Sequence, residues 1–234
     1  MANVRSGPSR PSLASGLSRL RRLSWQPILL GDPGELPAID PSFTGARHIA
    51  LDETAWVDHV AGWVRGADTL FEQVVAQAPW EHRTVRMYDR MVEEPRLTAW
   101  YGRTLDDLDD LIDLSVPAVL TEIAAALRAR YGRVFDSVGA ALYRDGRDSV
   151  AWHGDRIDPA IAEPVVAIVS LGSGRTLRMR PRERRGHRGA SRPFRLLPGD
   201  LFVMGGSTQT TWEHAVPKVG PAGARVSVQF RHST

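Results

Sequence analysis

The sequence contains no cysteine, which excludes a disulfide framework, a thiolate nucleophile and any zinc or iron–sulfur centre built on cysteine. Any metal must therefore be held by histidine, aspartate or glutamate. Lysine is almost absent too, Lys218 being the only one among 30 basic Lys and Arg residues. An arginine-only cation set suits phosphate, which a guanidinium grips bidentately, and suits stacking on bases. A GC-rich coding bias would give the same preference, and composition does not choose between the two. No apolar run approaches the roughly 20 residues a membrane helix needs, so no membrane partner is expected. What is present is ordinary for a globular domain: 42% hydrophobic and 24% charged residues over 234 positions, with a net charge of +3, enough chain to bury one sizeable core.

Residues 1–24 carry Arg5, Arg10, Arg19, Arg21 and Arg22, several serines and no acid. Such a segment has too little apolar surface to fold alone, and is expected to be a disordered tail ahead of one domain over 25–234. Its make-up fits a plain tail, a mobile basic arm or an organellar transit peptide; the expected location is cytoplasmic or nucleoid-associated, with organellar targeting as the alternative. Short β-prone pieces, Pro27–Leu30 and Ala46–Leu51, precede Asp52, which can cap a helix running on from Glu53 with Trp56, Val57, Val60, Trp63 and Val64 at helical spacing. After Gly66, Leu70, Phe71, Val74 and Val75 continue a second helical piece. The tryptophans read as core packing. Arg83–Tyr88 and Leu97–Tyr101 read as strands, and the aspartates between Asp106 and Asp113 as a solvated acidic face. Ser115 and Pro117 begin the clearest helix, with Val116, Val119, Leu120, Ile123, Leu127 and Tyr131 as its buried stripe and Gly132 as its end.

Beyond Gly132 the period becomes 2. Strands are expected at Val138–Tyr143, Val165–Leu171, Thr176–Arg180, Phe194–Leu197, Leu201–Met204, Thr211–Val216 and Arg225–Arg231, and many short strands with Gly/Pro turns indicate a barrel or sandwich. Within this half lie His153-Gly154-Asp155 and His214. Two imidazoles and a carboxylate suit a facial iron site with three positions open. On an extended strand, residues two apart leave the same face, and a barrel can bring a ligand distant in sequence alongside. An isolated H-x-D is as a rule a surface or hydrogen-bonded pair, so the spacing by itself leaves both readings open. In the last strand Arg225, Ser227, Gln229 and Arg231 share one face, and Val226, Val228 and Phe230 the other. That polar face either meets solvent or lines a cavity for an anion.

The surrounding phrases sharpen the choice. Leu142 to Asp155, with Tyr143 and the His153-Gly154-Asp155 triplet, resembles the first metal stretch of the AlkB family of iron- and 2-oxoglutarate-dependent dioxygenases. Gly199-Asp200-Leu201-Phe202-Val203-Met204-Gly205-Gly206, Thr208-Gln209 and Trp212 to Lys218 are similar to its second. Arg225 to Arg231 resembles its closing R-x-N-x-T-x-R strand, and Pro95 to Gly102, with Trp100-Tyr101-Gly102, also matches the family, so the resemblance runs from about Pro79 to Arg231.

It implies an α+β fold, a double-stranded β-helix (jelly-roll) core with flanking N-terminal helices. It implies Fe(II) on His153, Asp155 and His214, with no catalytic residue beyond these ligands, and 2-oxoglutarate and O2 as cosubstrates. Tyr143, Arg225, Ser227 and Arg231 would contact 2-oxoglutarate, Arg225 holding the distal carboxylate. The implied reaction is oxidative demethylation of N-alkylated bases in DNA or RNA, releasing formaldehyde, succinate and CO2. Tyr101 and Asp158 are the candidate substrate residues. Arg182, Arg184, Arg185 and Arg188, in the arginine-rich stretch between Arg175 and Arg195, are the candidate phosphate contacts. A monomer is expected. The sequence also departs from the family pattern. Ala141 stands where Asn is common before Tyr143, Ser227 where Asn is common after Arg225, and Ile157 where an acid helps read the base. A same-core oxygenase acting on a protein or small molecule, and a catalytically silent nucleic-acid-binding module, are therefore the alternatives.

Overall fold

The computed structural model describes residues 23–24, 34–87, 89–101, 117–155, 157–158, 160–161, 163–183 and 189–232. The expected strand Pro27–Leu30, the aspartates 106–113, Ser115, Arg184, Arg185 and Arg188 lie outside the described residues. So does all of the expected tail except Leu23 and Ser24. Leu23 packs against the core, and the Ser24 carbonyl accepts the Ala224 N–H at 2.7 Å.

In chain order the elements are β1 (Ala38–Ile39), β2 (Arg47–Ala50), β3 (Ala55–Val60), β4 (Val64–Arg65), α1 (Ala67–Gln77), β5 (Glu81–Met87), β6 (Arg90–Trp100), α2 (Val119–Tyr131), β7 (Ser137–Tyr143) and β8 (Val150–His153). They continue with β9 (Val166–Gly172), β10 (Arg175–Pro181), β11 (Arg192–Leu196), β12 (Leu201–Gly206), the single turn α3 (Thr208–Thr211), β13 (Trp212–Val216) and β14 (Arg225–Arg231). A major sheet runs β2-β3-β12-β9-β14-β7-β6-β5 and a minor sheet β11-β10-β13-β8. The jelly-roll expected from the resemblance is this pair of facing sheets, with α1 and α2 on the outer side of the major one.

The major sheet is covered on both faces, which is why its central strands β7, β9 and β12 are buried along their whole length. Alternate residues serve opposite layers. Ala167, Val169, Leu171, Val226, Val228 and Phe230 join the layer beneath the helices, with Leu70, Phe71, Ile123 and Leu127. Val166, Ile168, Phe202 and Met204 join the layer between the sheets, with Leu177, Met179 and Trp212. Each fully buried Val, Leu, Ile, Phe or Met among them contributes about 1.5–3 kcal/mol. The helix α2 ends as expected, at Gly132 in the left-handed region (φ 63°).

The helix expected from Glu53 is corrected to strand. Asp52 Oδ1 accepts the N–H groups of Thr54 and Ala55 at 2.9 and 2.8 Å, a tight turn that launches β3 rather than a helix. β3 then pairs with both β2 and β12. Its true period is 2: Ala55 and Val57 enter the layer between the sheets, while Trp56 and Val60 face the other layer. Trp56, Val57, Val60 and Val64 satisfy helical spacing only because a strand buried on both faces has no polar side to betray its alternation. Trp63 is core, as read from the sequence, its indole N–H donating to the Asp40 carbonyl at 2.7 Å. Thr211, expected in a strand, closes α3 instead.

Candidate active site

Strand pairing assembles the three candidate ligands. β13 lies antiparallel beside β8 with His214 directly opposite His153, so their rings stand 4.3 Å apart, centroid to centroid. Asp155 follows the end of β8 and turns its carboxylate to the same point. One ligand atom from each of the three lies within 4.8 Å of the others. The intervening Gly154 is required by close approach. A Cβ there would sit 2.2 Å from Arg182 Nη2 and 2.9 Å from the Gln209 carbonyl.

His153 and Asp155 each have one atom engaged and one turned to the shared point. His153 Nδ1 donates to the Ala151 carbonyl at 2.8 Å, which leaves Nε2 as the lone-pair atom. Asp155 Oδ1 accepts from Arg231 Nη2 at 2.6 Å and Nε at 3.0 Å, leaving Oδ2, which is 3.7 Å from His214 Nε2. The Asp155 N–H donates to Gln209 Oε1 at 3.0 Å. Burial opposes ionisation of Asp155, but Arg231 and the two imidazoles outweigh it and hold the carboxyl at about 2. Burial lowers His214 to about 4, against the pull of Asp155. An ionised carboxylate and a neutral imidazole are the states metal binding needs, and two nitrogens with one oxygen on one side of a point are the donor set of a non-haem Fe(II) site. The residues present fit the metal.

From this cluster a cavity of about 430 Å³ runs along the polar face of β14. Arg225, Ser227, Gln229 and Arg231 all line it, while Val226, Val228 and Phe230 are fully buried on the opposite face, so the strand's alternation resolves in favour of a cavity. At its inner end Arg225 is 1% exposed. Its Nε donates to Ser170 Oγ at 3.2 Å and its guanidinium lies 5.3 Å from the centroid of the Tyr143 ring, yet Nη1 is buried with no hydrogen-bond partner among the described residues. Burial pushes the Arg225 proton affinity down, Tyr143 opposes this, and Arg175 adds repulsion. A buried cation with an unused donor and no carboxylate is what an anionic ligand would complete. Arg231, by contrast, leans to the metal end and braces Asp155.

The two candidate substrate residues are placed elsewhere. Tyr101 is 7% exposed in the layer under the helices, and its hydroxyl, without a partner among the described residues, is pushed up by burial. Its neighbour Trp100, 50% exposed, lines the cavity instead with Arg96 and Thr98. The period-2 reading of Arg96–Tyr101 would have sorted Tyr101 with Leu97 and Ala99, so this signal was in the sequence. Asp158 is exposed, its Oδ1 capping a turn through the Ala160 N–H at 2.9 Å, and is not among the cavity-lining residues.

Within the arginine-rich stretch, Arg175, Arg178, Arg180, Arg182 and Arg192 have partners inside the fold. Arg175 is buried, with Nη1 on the Asp145 carbonyl and Nη2 on those of Asp148 and Pro217. Arg178 is bound to Ser191, Arg180 to Glu213 and Arg192 to the Ala50 carbonyl. Arg182, the described member of the candidate phosphate contacts, directs Nε to the Trp212 carbonyl and Nη2 to that of Gln209. These side chains tie the minor sheet together rather than stand free. Gln209 and Gly154 are supporting residues that motif reading passed over, although both lie inside the quoted metal stretches.

Comparison with known proteins agrees with the geometry. The family model described as "2OG-Fe(II) oxygenase superfamily" matches residues 63–231. Human "Alpha-ketoglutarate-dependent dioxygenase alkB homolog 3" is 34% identical over 178 residues, 72% of this chain and 62% of the relative. "DNA oxidative demethylase ALKBH2" of Arabidopsis thaliana is 28% identical over 196 residues, covering 70% of this chain and 61% of the relative. The chain thus spans about three-fifths of the length of these relatives. A Pseudomonas putida prolyl-4-hydroxylase crystal structure aligns over 76% of this chain and 93% of its own, at 18% identity and a TM-score of 0.47. With a His-Asp-His cluster, a family match over residues 63–231 and a relative 34% identical over 72% of the chain, the chain belongs to the 2OG-Fe(II) oxygenase superfamily, as a member of its AlkB family.

Proposed function

We propose that the protein is an Fe(II)- and 2-oxoglutarate-dependent dioxygenase that demethylates N-alkylated bases in DNA or RNA. The observation that carries this reading is the juxtaposition of His153, Asp155 and His214 with a cavity whose far end holds the incompletely paired Arg225. A linear dianion would lie between them, its 2-oxo acid end toward the His153, Asp155 and His214 cluster and its distal carboxylate toward Arg225. With iron, cosubstrate and O2 in place, the chemistry supplied is insertion of one oxygen atom into an N-methyl C–H bond, the other entering succinate as CO2 leaves. The resulting N-hydroxymethyl group separates as formaldehyde, returning the N–H of the base.

The protein's own contribution is positional. Arg231 and Gln209 fix Asp155, the Ala151 carbonyl fixes the His153 tautomer, and Ile168, Leu177 and Val216 give the cavity an apolar wall. Trp100 offers a half-exposed aromatic surface at the cavity wall, the kind of face on which an extruded base stacks. The relative named as a DNA oxidative demethylase supports a nucleic-acid substrate. The test is succinate and formaldehyde formation with N-methylated single-stranded DNA and RNA oligonucleotides against their unmethylated counterparts. Equal succinate with both would remove the nucleic-acid reading and return weight to a protein or small-molecule substrate. No succinate under any condition would leave the silent binding module.

A further inference from the structure

We infer that Gln229 is a positioning residue for the cosubstrate, acting by turning the Ser227 hydroxyl into a fixed hydrogen-bond donor aimed into the cavity. The inference rests on the reading of that cavity as the 2-oxoglutarate site. Gln229 Nε2 lies 3.0 Å from the Ser227 carbonyl oxygen and 2.9 Å from Ser227 Oγ. A carbonyl only accepts, so the atom facing it must be the amide nitrogen, and the same NH2 group therefore also donates to Ser227 Oγ. A hydroxyl has one proton and two lone pairs. With the lone-pair side occupied by Gln229, its own proton must point elsewhere, and no described residue takes it.

The neighbours explain why the proton is left for a ligand. Across the ladder Ser227 faces Ala141 on β7 and Ser170 on β9. Ala141 offers only a methyl group, and Ser170 Oγ is the acceptor for Arg225 Nε. Ser227 itself is 3% exposed, so bulk water does not complete it. Two residues apart and adjacent on one face, Arg225 Nη1 and the Ser227 O–H are thus buried donors without acceptors among the described residues, both beside the same cavity. One carboxylate with two oxygens satisfies both. Unaided, a serine hydroxyl rotates freely; the Gln229 N–H occupies one of its two lone pairs and biases its proton toward the anion. Gln229 makes up with a reach along its own strand for what the alanine at 141 leaves out.

The experiment is calorimetric binding of 2-oxoglutarate to the Fe(II)-loaded full chain without oxygen, so that no turnover intervenes, accompanied by circular dichroism. Gln229→Met keeps the volume and removes the amide; it should weaken 2-oxoglutarate about tenfold, as loss of an oriented donor to a charged group does. Ser227→Ala should cost a similar factor. The double variant should bind no more weakly than Ser227→Ala alone, because Gln229 acts through that hydroxyl. In turnover the half-saturating 2-oxoglutarate concentration should rise while the maximal rate holds. Unchanged affinity in Gln229→Met, or additive losses in the double variant, would overturn the inference while leaving the site reading intact. Should Gln229→Met unfold, Gln229→Glu decides. Its carboxylate would take the Ser227 proton and repel the ligand, so binding equal to wild type refutes the mechanism. Absence of 2-oxoglutarate binding by the wild-type protein, or equal binding by Arg225→Met, would sink the site reading and the inference together.

Discussion

Arg225→Met should make the ligand-free protein more stable and at the same time remove its response to 2-oxoglutarate. In the free protein the guanidinium is 1% exposed, held by one side-chain bond to Ser170 and the Tyr143 ring, with Nη1 unpaired. Replacing a buried, incompletely satisfied ion by an apolar side chain of similar volume gains about 1–4 kcal/mol. The lost Ser170 bond and ring contact return about 1–2 kcal/mol. The difference spans about −1 to +3 kcal/mol and centres on about 1 kcal/mol, a rise of about 2–4 °C in Tm for a domain of this size. Binding moves the other way. A ligand at 100 times its Kd stabilises by about 2.7 kcal/mol, or about 5–11 °C, and loss of the charged donors, at about 1.5–3 kcal/mol each, cancels most of that. The assay is thermal unfolding of wild type and variant, with Fe(II) and no oxygen, across a 2-oxoglutarate titration. A variant that melts below wild type and keeps the ligand-induced shift would mean that Arg225 is a structural brace, and the anion-site argument would fail.

His153→Ala, Asp155→Ala and His214→Ala should each abolish iron binding by calorimetry while leaving the circular dichroism spectrum intact; unchanged affinity removes that residue from the site. Gly154→Ala should weaken iron binding by about tenfold to a hundredfold, because the added methyl collides with Arg182 and the Gln209 carbonyl and displaces the ligands on either side; equal affinity would show that the corner yields. In the metal-free protein His214 is held at about 4 by burial, whereas an unfolded imidazole titrates near 6.5. The unfolded chain binds that proton first, so stability should fall as pH drops from about 6.5 toward 4; urea melts of wild type and His214→Gln across that window check whether the slope belongs to this residue. Trp100→Ala should depress turnover of a methylated oligonucleotide severalfold and leave 2-oxoglutarate affinity as it is, since the ring lines the cavity away from Arg225; a matching loss of 2-oxoglutarate binding would contradict that placement.

Local pattern was enough for much of this protein. The period-2 alternation of Arg225–Arg231 set apolar and polar residues on opposite faces, the strands after Gly132 other than β8 and the stripe and terminus of α2 were readable along the chain, and the family resemblance named the candidate ligands. These features depend on neighbours within a few residues. Local pattern failed at β3, where a strand buried on both faces carries no polar side and Trp56, Val57 and Val60 mimic a helix. It also failed at Trp100 and Tyr101, where motif took precedence over alternation.

Other properties were decided only by strands distant in sequence meeting side by side. The pairing of β13 with β8 is what sets His214 opposite His153. Nothing within the run of arginines from Arg175 to Arg192 reveals that five of its members are held by carbonyls, Ser191 and Glu213. A guanidinium's availability depends on what acceptors the fold brings to it, whereas its charge is a property of composition. The same holds for Gln229: its place on the polar face of β14 follows from counting by twos, but its effect on Ser227 arises because β7 brings Ala141, and β9 an already engaged Ser170, to either side of that hydroxyl.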